Sequence, residues 1–170
     1  EQAYFRVLHS ESARLSRLIG NVLELSRLER RQRRPALAEG TFDDVLDEVA
    51  ALMEQPLRQE GFAFERENRL RRPFRYDREI MVQVLLNLIE NGLKFGKASA
   101  VKRIAVRVSE SGERVRVEVA DSGPGIPPRD LKKIFEDFFR AENAMTAAVG
   151  GTGIGLAMVR RFVHLLGGAV

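Results

Sequence analysis

Asn87, Asn91 and Lys94 stand at helical spacing inside the stretch NLIENGLKF, whose other residues read as core. On a helix advancing about 100° per residue these three share an arc of about 60°, and Val82, Leu85, Leu86, Ile89 and Leu93 cover the opposite side. A carboxamide offers a neutral oxygen that can ligate a hard cation or hold its water, and an ammonium one turn further along can meet a phosphate. A solvated strip on an ordinary amphipathic helix has the same pattern, so the segment alone leaves both readings open.

Two further stretches carry chemistry. In VEVADSGPGIPP a strand pattern runs straight into Asp121, followed by Gly123 and Gly125. An ionised carboxylate only accepts hydrogen bonds, which suits an exocyclic amine, and glycines let the backbone pass close to a flat ring. A plain Gly/Pro turn fits equally well. In GGTGIGLAMVRRF, Gly150, Gly151, Gly153 and Gly155 lead into a helix whose apolar positions are Leu156, Met158, Val159, Phe162 and Val163. Free N–H groups at a helix start suit a phosphate; a flexible hinge is the other reading. The stretch has no Gly-Lys-Ser/Thr ending and no dinucleotide fingerprint, and the Asp121 loop has too few oxygen side chains for an EF-hand.

The elements that must position these residues follow from periodicity. Residues 2–33 form a helical pattern in which Leu8, Leu15 and Val22 recur every seven residues, with Leu18 and Leu25 between them and Glu11 interrupting the seam. Such a stripe needs a partner helix, in a hairpin or from a second subunit. PALAEGT reads as a linker. A helix is expected over 41–59, with Thr41 as N-cap, Val45, Leu46, Val49, Leu52 and Met53 as its apolar face and Gly61 as its stop. FAFER and PFRYD read as short strands, the second leading into a helix over 78–95. Ile104, Val106, Val108 and Val115, Val117, Val119 alternate with period two around a Ser-Gly turn and make a hairpin. A short helix over 131–135, a small-residue loop and a last helix over 154–166 complete an α+β two-layer sandwich, a mixed sheet covered by helices, preceded by one long coiled-coil-like helix.

With 44% hydrophobic and 31% charged residues in 170, the chain has apolar material for one ordinary core and no run long enough to span a bilayer. No membrane contact by this stretch is expected, and the absence of cysteine suits a reducing compartment. Part of the net charge of +4 comes from SRLERRQRRP. Cations at a helix end complement its dipole, and without interleaved aromatics they do not predict nucleic-acid binding. The opening on Glu1 reads as a fragment whose parent would be anchored in the inner membrane, with this part cytoplasmic.

In order, these pieces resemble the catalytic ATP-binding domain of bacterial sensor histidine kinases, in the Bergerat-fold superfamily that includes gyrase and the MutL repair proteins. DREIMVQVLLNLIENGLKF is similar to the N box, DSGPGIP to the first glycine box, FEDFFR to the F box and GGTGIGLAMV to the second glycine box. ESARLSRLIGNVLELSRLE resembles the second helix of the dimerisation and phosphotransfer hairpin. The resemblance divides the chain into 1–39, that helix plus linker, and 40–170, the ATP-binding domain. It implies ATP and Mg²⁺, with Asn91 and Asn87 at the metal and Lys94, with Phe95 beside it, at a phosphate. Asp121 would hold the adenine amine, and Gly123, Gly125 and Ile126 would shape the base pocket. Gly151, Thr152, Gly153, Gly155 and Leu156 would form the phosphate loop and the hinge of a lid over 140–150, anchored by Phe135, Phe138 and Phe139.

Gyrase-like relatives carry a glutamate where this chain has Asn87, and an amide cannot act as a general base, so the resemblance implies phosphoryl transfer to histidine over hydrolysis, with Asn87 and Lys94 as catalytic groups. A response-regulator aspartate would be the onward acceptor, and the full-length protein a homodimer. The family's acceptor motif is absent: His9 is followed by SESARL, and His164 lies in the last helix. The family continues for a strand or two beyond GGAV, so the sheet is expected to be incomplete. Two alternatives share these boxes, a nucleotide-binding regulatory module without turnover and a serine kinase of the anti-sigma type; the heptad helix argues against the second.

Overall fold

The valines of the period-two runs do build a hairpin. β4 (Arg103–Ser111) and β5 (Arg114–Asp121) pair antiparallel from Ile104↔Asp121 to Ser111↔Arg114, closed by a two-residue turn in which Gly112 has φ +63°. β2 (Ala63–Asn68) adds to β4 in parallel, so the sheet of order β2-β4-β5 is mixed. A separate antiparallel ribbon joins β1 (Ala38–Gly40) to β3 (Phe74–Tyr76). The computed structural model describes residues 34–140 and 151–170, together with Ser12, Ile19, Gly20, Leu23 and Ser26, which are helical. Ile19 and Leu23 are exposed, whereas the seam residues Leu8, Leu15, Leu18, Val22 and Leu25, like His9, fall outside the described residues.

Three helices cover the inner face of the sheet: α1 (Asp43–Glu60), α2 (Arg78–Gly96) and α3 (Gly155–Leu165). α2 packs on β4 and β5, with α1 on one flank and α3 on the other. Ile104, Val106 and Val108 meet Ile80, Leu85 and Ile89 of α2, and Phe162, Val159 and Ile154 extend this core from the α3 side. Each such side chain, fully buried, contributes about 1.5–3 kcal/mol. Architecture and layer order are those the patterning implies.

The local differences have physical causes. The N-cap of α1 lies one residue later than expected: Thr41 Oγ1 bonds the Asp43 carboxylate (3.0 Å) instead of an amide, and Phe42 takes the N-cap place with φ +73°. Its ring is held there by stacking on Phe74 (5.2 Å between centroids) and by a tilted contact with Tyr76 (4.6 Å). Leu52 is 53% exposed, and Leu57 takes its place in the core. Residues 131–135 form successive turns, such as Lys133 N to Asp130 O and Glu136 N to Lys133 O, and not a helix. The PALAEGT linker contains β1, so the 39/40 boundary falls inside a strand.

Candidate nucleotide site

α2 begins with Asp77 as N-cap, its carboxylate accepting from Ile80 N at 3.0 Å, and its buried face sits on the hairpin. That packing fixes the rotation of the helix and turns Asn87, Asn91, Lys94 and Phe95, all half-buried, along the side that looks toward α3. Asn87 Nδ2 donates to Gln83 O (2.9 Å), which leaves its Oδ1 directed at the start of α3. A Cβ placed on Gly155 would lie 3.1 Å from Asn87 Oδ1 and 3.9 Å from Asn91 Nδ2. One on Gly151 would come within 2.2 Å of Lys94 Nζ, which also lies 4.8 Å from the Phe95 ring centroid. The three polar residues of α2 and the second glycine segment therefore face each other at contact distance, as the two sides of a candidate crevice.

The glycine segment is shaped for close approach. Gly153 has φ +71°, and a Cβ there would meet backbone atoms of Phe138 and Phe139 at 2.7–2.9 Å. Thr152 Oγ1 accepts from Ile154 N (3.2 Å), and Ile154 is buried. α3 then starts with no side-chain cap and no acidic residue in its first turn, so its first N–H groups and dipole favour an anion in the crevice. Leu156 is half-buried behind it.

Asp121, at the end of β5, closes the other end of the α2 strip. Its Oδ1 accepts from Gly123 N (2.7 Å), and its Oδ2 takes no hydrogen bond from any described residue. A Cβ on Gly92 would lie 2.9 Å from Asp121 Cβ, and Gly123 N is 3.9 Å from the position a Cβ would take on Gly96. Gly125 has φ +75° with open space around it, and Ile126 is 44% exposed at the mouth of the loop. Phe135 and Phe139 are half-buried, while Phe138 has φ +60° and is 65% exposed. The expected lid falls almost wholly outside the described residues.

Several residues of this arrangement escaped the sequence reading. Gly92 and Gly96 let Asp121 and the first glycine loop lie against α2; two glycines four apart in a helix, each costing about 1 kcal/mol against alanine, are the signal that marks such a close approach. Arg161 of α3 bonds Asp137 (2.5 Å) and ties the phenylalanine segment to the glycine segment. Nothing in the spacing of those two residues reveals it.

The donor set fits a magnesium nucleotide. Among the described residues no group of three or more His, Asp or Glu gathers to hold an ion, so the crevice offers amide oxygens beside a phosphate-shaped loop. Mg²⁺ is commonly held by one or two protein oxygens, with phosphate oxygens and water completing its shell. Rotation of the Asn91 amide exchanges its nitrogen for its oxygen at the same place.

Fold and crevice together define an α+β nucleotide-binding domain of the Bergerat type. Residues 76–170 match the family described as histidine kinase-, DNA gyrase B- and HSP90-like ATPases, and the chain belongs to that family. It is 32% identical over 169 residues to the sensor histidine kinase AruS of Pseudomonas aeruginosa, covering 97% of this chain and 17% of AruS. It thus spans about a sixth of that relative's length. Among solved structures it is similar to full-length ShkA in complex with AMPPNP (TM-score 0.81, 29% identity, 100% of this chain and 35% of that one). It is also similar to the histidine kinase ThkA in complex with the response regulator protein TrrA (TM-score 0.69, 28% identity, 92% and 43%). The aligned part is the ATP-binding catalytic core of sensor histidine kinases.

Proposed function

We propose that this chain binds Mg-ATP between α2 and the two glycine segments and donates the γ-phosphoryl group to a histidine nitrogen carried on a helix outside this sequence, from which it passes to a response-regulator aspartate. The observation that carries the reading is the convergence of Asn87, Asn91 and Lys94 on the segment 151–155. In this reading Asp121 Oδ2 accepts from the adenine amine while its Oδ1 stays on Gly123 N–H. Lys94 and the first N–H groups of α3 hold the phosphates in line for attack, and Asn91 and Asn87 present amide oxygens to the metal. Mg²⁺, when bound, offsets phosphate charge. The imidazole nitrogen forms the new P–N bond as the bond from the γ-phosphorus to the bridging oxygen breaks, and ADP leaves. With an amide at 87 the crevice has no base there to activate water, which supports transfer over hydrolysis.

ShkA with AMPPNP and ThkA with TrrA support the nucleotide and the response regulator as partners. We further read residues 1–39 as the second hairpin helix and linker, and the full-length protein as a homodimer through that helix. No described helix is long and apolar enough to cross a membrane. The test is to mix the chain with a separate helical hairpin carrying a histidine and follow acid-labile phosphate from Mg-ATP. Transfer is expected; ATP binding without transfer would favour the regulatory-module reading.

A further inference from the structure

Asp77 is buried to 6% exposure, the one charged side chain in the core among the described residues. Capping α2 requires a single acceptor oxygen, which serine, threonine or asparagine supplies equally well. Asp77 uses both. Oδ1 accepts from Ile80 N at 3.0 Å inside α2, and Oδ2 accepts from Ala36 N at 2.7 Å in the segment entering from the N-terminal helix. Its backbone carbonyl also takes Met81 N at 3.1 Å. Next to it, β1 runs antiparallel to β3 with Ala38 opposite Tyr76, and Gly40 lies so close to the Tyr76 ring that a Cβ would come within 2.5 Å of Oη. The incoming segment is thus strapped to the strand that ends at Tyr76, and Ala36 within it is held by the carboxylate that starts α2.

We infer that Asp77 is a positioning residue that couples the segment preceding β1 to the first turn of α2, and through that rigid helix to Asn87, about 15 Å further along its axis. Its consequence for catalysis rests on the nucleotide site proposed above; the coupling itself does not. A shift of the N-terminal helix pulls on Ala36, and the shared carboxylate passes the displacement to the helix that presents the amides and Lys94. The coupling is reciprocal, so a ligand that steadies α2 also steadies Ala36.

Amide hydrogen exchange followed by NMR tests this from both ends. Ala36→Pro removes the donor without touching α2 and is expected to speed exchange of Ile80 N–H about three- to tenfold, the range that partial loss of a cap produces. Asp77→Ser keeps a cap oxygen too short to reach Ala36; it breaks the same Ala36 bond, so it is expected to speed exchange at Ala36 and to speed Ile80 about three- to tenfold, as in Ala36→Pro. In the unmodified chain Mg-ATP slows exchange at Ala36, and in Asp77→Ser that response disappears while ATP still binds. An unchanged Ile80 rate in Ala36→Pro overturns the coupling, as does an Ala36 amide indifferent to bound ATP. Absence of ATP binding by calorimetry sinks the nucleotide site instead, and the two nucleotide-free exchange measurements then decide the coupling alone.

Discussion

Replacing Asp121 by asparagine probes the base-binding end of the crevice with little change of shape. Oδ1 is committed to Gly123 N–H at 2.7 Å, so an amide oxygen stays on that donor and the new Nδ2 turns to where Oδ2 had been. An adenine amine arriving there meets a donor in place of an acceptor. A hydrogen bond to a charged group is worth about 1.5–3 kcal/mol, which corresponds to about 10- to 150-fold in Kd. Guanine presents an acceptor at the equivalent ring position, so its affinity should hold or improve and the preference for ATP over GTP should fall further than ATP affinity alone. Isothermal calorimetry with both Mg-nucleotides reads this directly, and an unchanged melting temperature checks that the Gly123 contact survives. An ATP Kd within twofold of the unmodified chain would refute the assignment of Asp121 to the base.

Gly153→Ala and Gly125→Ala separate backbone strain from crowding. Both residues have positive φ, which costs an L side chain about 1–2 kcal/mol, less about 0.4–1 kcal/mol returned through the unfolded chain. Only at Gly153 would the methyl also strike backbone, that of Phe138 and Phe139 at 2.7–2.9 Å, whereas Gly125 has open space. Overpacking adds about 1–3 kcal/mol, so Gly153→Ala should melt about 2–12 °C below Gly125→Ala; equal melting temperatures would remove the close approach. The Tyr76 phenol is pushed above its ordinary value of 10.0 by burial and by the Asp44 carboxylate. A raised folded-state pKa means stability held below pH 10.0 and lost as pH climbs through the higher folded value. Denaturant melts of Tyr76→Phe should therefore lose stability less steeply above that pH than the unmodified chain, and parallel curves would contradict the burial argument.

Elements with their own periodicity were legible in the residues alone. The alternating valines of β4 and β5, the apolar stripe of α2 and Gly61 at the end of α1 all fall where their patterns put them. Asn87, Asn91 and Lys94 were readable because three polar groups on an arc of an otherwise apolar helix stand out. What escaped depends on contacts distant in sequence. β1 is three residues long and exists through its pairing with β3, 34 to 38 positions away. Thr41 loses the cap because Phe42 is drawn into the aromatic cluster with Phe74 and Tyr76. Residues 131–135 carry a helical pattern, but their chain is turned by Pro127, whose carbonyl takes Asp130 N, and by the pull of Asp137 toward Arg161.

The central claim is that the amides and lysine of α2 face the glycine segments across a bound Mg-ATP. The most direct measurement is a crystal structure of the chain with Mg²⁺ and a non-hydrolysable ATP analogue. The adenine amine should lie within hydrogen-bond distance of Asp121 Oδ2, with the phosphates between Lys94 and residues 151–155 and an amide oxygen of Asn91 on the metal. A nucleotide seated elsewhere, with Lys94 still packed on Gly151, would contradict it.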